Sequence, residues 1–164
     1  SLAIAILLLM DPSIAQAQIQ NNSNEGSSIS LRSLESLRDL DYKTWQTVVY
    51  KPNESEEIII LRLVGFPGTL RIDHPLALKV NSGRYNWELE DITLSNKQLA
   101  NDPRDAAAEF NLRPLLADLN KNRPLRLRLD GVFTELPIPP YLVSEWRSFI
   151  NTPSINASNQ LVEE

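Results

Sequence analysis

Short alternating runs of apolar and polar residues, broken by turn formers, dominate this chain and predict a mainly β fold. The densest run is Thr44 to Gly68. Trp45, Thr47 and Val49 fall on one face of an extended chain, and Gln46, Val48 and Tyr50 on the other. Pro52 to Glu57 is polar and turn-forming, so the chain reverses there. Ile58 to Val64 is then almost unbroken apolar, the pattern of a strand covered on both faces. Arg62 interrupts that run and is expected to reach a sheet edge or a carboxylate. Gly65 and Pro67-Gly68 turn the chain.

The same reading extends in both directions. Leu31, Leu34, Leu37 and Leu40 recur every three residues, which leaves a helix open, but Ser33 to Arg38 reads better as a strand feeding a hairpin turn at Asp39 to Lys43. Thr69 to Asp73 and Leu76 to Val80 are short alternating pieces on either side of His74-Pro75, and Asn81-Ser82-Gly83 is a turn. Tyr85, Trp87 and Leu89 alternate with Asn86, Glu88 and Glu90, the cleanest half-buried strand in the chain. Ser95 to Asp105 reads as a polar loop. Ala106 to Leu112 fits either period: the alanines favour helix, while Pro114 forces the preceding residue extended. Pro114 suits the start of a short helix with Leu115, Leu116 and Leu119 inward. Leu125, Leu127 and Leu129 alternate with Arg126, Arg128 and Asp130 in another amphipathic strand, and Val132 to Leu136 follows Gly131. Pro137, Pro139 and Pro140 form a stiff connector to a helix carrying Leu142, Val143, Trp146, Phe149 and Ile150 on one face. The expected fold is a β-sandwich or small barrel of about eight short strands, with a short helix and a C-terminal closing helix. An α+β arrangement is the alternative.

The N-terminal residues change the domain count. Leu2 to Met10 is apolar and is followed by Ala15-Gln16-Ala17, the pattern of a secretory signal peptide cut after Ala17. A basic n-region would precede Ser1. An uncleaved anchor is the other reading, although the apolar run spans a bilayer only if earlier residues lengthen it. The expected organisation is a signal peptide over 1–17, a disordered lead-in over 18–30, one domain over 31–150 and a disordered tail over 151–164. No membrane span is expected after cleavage.

Composition excludes several chemistries. The 164 residues carry 16 Lys and Arg against 21 Asp and Glu, an acidic balance unlike the concentrated basic face of a nucleic-acid binder. There is no cysteine, so thiol catalysis, iron–sulfur clusters and Cys-ligated zinc are excluded. The single histidine excludes a multi-histidine metal site within one chain. No cofactor is expected.

Three groups of residues carry candidate chemistry. His74 has Asp73 beside it, and a carboxylate can orient an imidazole for base catalysis. Neighbours on an extended chain point apart, however, which would leave a surface turn histidine. Glu88, Glu90 and Asp91 are candidates for a glycosidase pair or a calcium site. On a strand, Glu88 and Glu90 share the solvent face about 7 Å apart, which is also the pattern of a plain solvated face. Asn101 to Asp105 reads as a loop with a capping role. The third group is Arg113, Arg123, Arg126 and Arg128, the basic concentration of the chain. Arg126 and Arg128 share a strand face that suits an acidic protein partner or a lipid headgroup surface, and that is also the pattern of an ordinary solvated face. The Pro-rich Leu136 to Tyr141 stretch is a further candidate docking surface.

At LVGFPG (Leu63 to Gly68), at LPIPPYLVSEW (Leu136 to Trp146) and at RDLDYKTWQTVV (Arg38 to Val49), the chain resembles an uncharacterised family of exported cyanobacterial proteins. The resemblance covers roughly the whole mature domain. It implies a periplasmic or thylakoid-lumen address and transfers no catalytic residue. Together these readings predict a non-enzymatic exported domain, a protein-binding accessory or assembly factor at the photosynthetic or inner membrane. A small-molecule or lipid-binding β-barrel is the alternative, and a hydrolase using His74 or the Glu88–Glu90 pair is a third.

Overall fold

The computed structural model describes residues 18–19 (backbone only), 32–52, 55, 57–68, 70–101 and 106–152. The expected signal peptide and nearly all of the expected lead-in and tail lie outside these residues. The described strands are, in chain order, β1 (Gln18–Ile19), β2 (Arg32–Arg38), β3 (Thr44–Tyr50), β4 (Ile60–Val64), β5 (Leu78–Ser82), β6 (Tyr85–Leu89), β7 (Ala107–Asn111), β8 (Leu125–Leu129) and β9 (Phe133–Ile138). The helices are α1 (Lys97–Ala100), α2 (Arg113–Asp118) and α3 (Pro140–Ser148). Two antiparallel sheets form, one ordered β1-β2-β3-β4-β7 and the other β6-β5-β8-β9. The protein is mainly β, as the alternation predicts.

The sheets nearly meet at two seams. At one, an isolated antiparallel bridge joins Asp91, just past β6, to Phe110 of β7. At the other, the Leu40 amide donates to the Glu135 carbonyl of β9 at 3.1 Å. Neither seam becomes a continuous ladder, so the strands do not close into a barrel. The inward positions are filled by side chains. Val49, Leu61, Leu63, Leu78, Phe110, Leu125, Leu127 and Leu136 are completely buried, and α3 closes the core with Leu142, Val143 and Trp146.

Several local expectations are corrected. Residues 70–77 form no strand among the described residues; Asp91 and Ala107 instead hold His74 in an irregular segment. The polar stretch after Ile92 holds a short helix, because the Asn96 side chain caps it by accepting from the Gln98 and Leu99 amides. Ala106 to Leu112 resolves as β7, since pairing with β4 buries Ala108, Glu109 and Phe110. Pro137 lies inside β9 rather than in a connector. This is an edge strand, where a missing N–H is tolerated. Residues 18–19, expected in a disordered lead-in, pair with β2.

Trp45 fixes the corner where β2, β3 and β9 meet. Its indole N–H donates to Asp39 Oδ2 at 2.9 Å. Asp39 Oδ1 accepts from the Asp41 and Lys43 amides, both at 2.9 Å, and so closes the hairpin turn. The ring meets Phe133 edge-on, with centroids 5.1 Å apart and planes at 62°. Gly65 lies flat against the same ring, and a Cβ there would stand 2.9 Å from Trp45 Cζ3. A Gly65→Ala variant should therefore lose about 1–3 kcal/mol. A thermal melt several degrees lower would show it, and an unchanged melt would mean that the ring yields.

Candidate functional site

The polar chemistry of the fold concentrates where residues 70–77 and 91–101 lie against β4 and β7. A cleft of about 390 Å³ opens there, lined by Arg62, Ile72, His74, Leu94, Leu99 and Ala107 among others. His74 points inward and its side chain is 14% exposed. Its partner is Asp91, seventeen positions away, with Nδ1 to Oδ2 at 2.6 Å. Asp73, the neighbour in sequence, is instead 90% exposed and pairs with Arg71. His74 Nε2 faces the Ala107 carbonyl at 3.2 Å. Both ring nitrogens are thus occupied, and accepting a substrate proton would require the ring to leave Ala107.

Asp91 is equally enclosed. Besides His74, its oxygens accept from the Leu76 amide (2.8 Å), the Thr93 amide (2.9 Å) and the Thr93 hydroxyl. Burial alone pushes this carboxyl up, but the donors from Thr93, His74 and Leu76 outweigh it and hold it below the usual carboxylate range. The Thr93 hydroxyl also accepts from the Glu109 amide at 2.9 Å, which carries the network onto β7.

Glu109 is the second node, 2% exposed on the outward face of β7. Register places it opposite Arg62 of β4. Its Oε1 accepts from Arg62 Nη2 (2.6 Å), Arg62 Nε (2.8 Å), the Tyr50 hydroxyl (2.7 Å) and the Asn96 amide (3.2 Å). Arg62 therefore reaches a carboxylate, as expected. Burial, then the Glu109 carboxylate, pushes the Tyr50 phenol up to about 12. Burial disfavours charge on Arg62, but hydrogen bonding to Glu109 and its charge more than offset this and raise its pKa.

The remaining candidate carboxylates do not converge. Glu88 and Glu90 both point to solvent, while Asp91 turns inward. The arginines also separate. Arg113 opens α2, and Arg123 lies in the exposed loop before β8. Arg126 and Arg128 do share the outer face of β8, where they are 67% and 63% exposed. Lys79 on β5 lies directly opposite Arg128, and a hollow of about 520 Å³ runs between these strands and β6. Asp130 relieves the like-charge contact, accepting from Lys79 Nζ at 2.6 Å and Arg128 Nε at 2.9 Å. The Lys79 hydrogen bond leads in holding the Asp130 carboxyl below its usual range. Arg126 pairs more loosely with Glu135, at 3.7 Å.

A family model described as a protein of unknown function (DUF3122) matches residues 17–149. The chain belongs to that family. No curated protein and no solved structure matches this DUF3122 chain. Membership agrees with the resemblance to an uncharacterised family and brings no activity with it. Among the described residues of the DUF3122 domain, no helix is long and apolar enough to cross a membrane.

The pairing of His74 with Asp91 carries a pH signature. The folded carboxyl lies below its unfolded value of about 3.9, so its stabilisation is complete above that value and is lost as pH falls through the folded one. In urea titrations the wild type should exceed Asp91→Asn by about 1–3 kcal/mol at about pH 5. The gap should narrow as pH falls toward about 2. A gap independent of pH would show that the donors do not favour the ionised carboxylate.

Proposed function

We propose that this chain is a non-enzymatic, exported binding domain whose partner is a protein, engaged through the outer face of the β6-β5-β8-β9 sheet. One observation carries the reading: Arg126 and Arg128 stand exposed on one strand face beside Lys79, over a hollow rather than a flat surface. Arginine suits interfaces because its rigid fork binds carboxylates in two places at once. Lys79 and Arg128, directly opposite each other, form a like-charge contact that an incoming carboxylate relieves further. Asp130, Glu135 and Glu88 on the same face set a mixed pattern that rejects a uniformly acidic or basic surface.

The internal use of the catalytic-looking groups supports the non-enzymatic half of the reading. His74, Asp91 and Glu109 are held by other parts of the fold and act as staples. The filled interior favours a surface contact over a ligand enclosed between the sheets. Export to a periplasm or thylakoid lumen is supported by the Leu2 to Met10 apolar run and the Ala15-Gln16-Ala17 end. The likeness to exported cyanobacterial proteins supports a partner at the photosynthetic or inner membrane, with this domain as an accessory or assembly factor.

Immobilised protein exposed to its host's envelope fraction tests this, with bound proteins identified at about 50 mM salt, where surface charge is weakly screened. A partner retained by wild type and by Lys97→Glu should fall about tenfold or more on Arg126→Glu/Arg128→Glu. Equal retention by the double variant, or no protein held above background by wild type, would sink the proposal.

A further inference from the structure

A second surface of the molecule has a different chemistry. A groove of about 560 Å³ lies between the β5–β6 turn and the segment from the end of α2 toward β8. One wall is aromatic. Tyr85 and Trp87 sit two apart on edge strand β6, so they share a face, and their rings stack with centroids 6.2 Å apart and planes at 23°. Further along that face Leu89 is buried, yet Tyr85 is 56% exposed, so the aromatic surface runs out past the end of the core. Trp87 is locked in place by its indole N–H, which donates to Asp118 Oδ2 at 3.0 Å.

The rest of the groove is polar and of mixed sign. Asp118 and Asn120 bring a carboxylate and an amide, and Lys121 and Arg123 bring two cations. We propose that this groove binds a carbohydrate, with the Tyr85–Trp87 surface as the stacking wall.

The chemistry selects this class over its rivals. The slightly positive C–H groups on one side of a pyranose ring complement the negative face of an aromatic ring. Sugar hydroxyls both donate and accept, so they can satisfy a carboxylate, an amide and cations side by side. A proline-rich peptide also favours aromatic grooves, but its prolines have no amide N–H, so it brings few donors for the Asp118 carboxylate. The indole donor that such a peptide would use is already held by Asp118. A phosphate-bearing ligand would meet the same carboxylate against only two exposed cations.

Calorimetric titration with the hexamer of N-acetylglucosamine, with maltohexaose and with cellohexaose tests the proposal, alongside a proline decamer. At least one sugar should bind with a Kd of about 1 mM or tighter. Tyr85→Ala should weaken it about tenfold, and Tyr85→Phe should bind as wild type, because the ring face rather than the hydroxyl is used. Tyr85 is exposed, so a melting curve matching wild type is expected and establishes that the loss is local. Three outcomes each overturn the proposal: no sugar binds, Tyr85→Ala binds as wild type, or the proline decamer binds at Tyr85 in place of the sugars.

Discussion

A carboxylate buried to 2% exposure is the constraint that the first sheet is built around. Taking Glu109 out of water costs several kcal/mol unless opposite charge and donors surround it. Four donor atoms do so, drawn from Tyr50 on β3, Arg62 on β4 and Asn96 at the start of α1. The charge is tolerable only when β3, β4, β7 and the segment after Ile92 are all in place. The node therefore makes assembly of that face cooperative, and it explains why a short helix covers part of a sheet whose outer surface could otherwise face solvent.

The His74–Asp91–Thr93 network extends the same logic to the seam between the sheets. Asp91 is at once the bridge residue opposite Phe110 and the acceptor for His74, Leu76 and Thr93. Thr93 then accepts from Glu109, so the two nodes form one polar chain running from the seam to the outer face of β7. Groups that look catalytic when taken singly are, in place, the fastenings of an irregular segment. The two surfaces proposed for binding lie on the other sheet.

The parts of the fold governed by local period were readable in advance. Alternation around Trp45, Trp87 and Leu127 identified β3, β6 and β8, and the 3.6-residue spacing of Leu142, Val143 and Trp146 identified α3. The parts governed by long-range pairing were not. Ala106 to Leu112 became a strand because β4 offers it a partner, a fact absent from its own composition. The His74–Asp91 pair crosses seventeen positions, while Asp73 was the visible neighbour. One hint was present: Arg62 and Glu109 are each a lone charge inside an apolar run, and two such lone charges of opposite sign are natural partners. The arginine group dispersed because Arg113 and Arg123 belong to a helix start and a loop, outside the strand alternation that keeps Arg126 and Arg128 together.

Pro137 within β9 bears on how the molecule behaves in a crowd. The Glu135 carbonyl points away from β8, toward Leu40, so in regular strand geometry Pro137, two residues on, directs its backbone the same way. An ordinary residue there would offer an outward N–H to the strand of another copy, and proline has none to offer. With the neighbouring carbonyl already taken by Leu40, this margin of the sheet is a poor template for stacking chain upon chain. A protein with an open sheet margin thereby gains protection against runaway polymerisation from a residue that contributes nothing to its core.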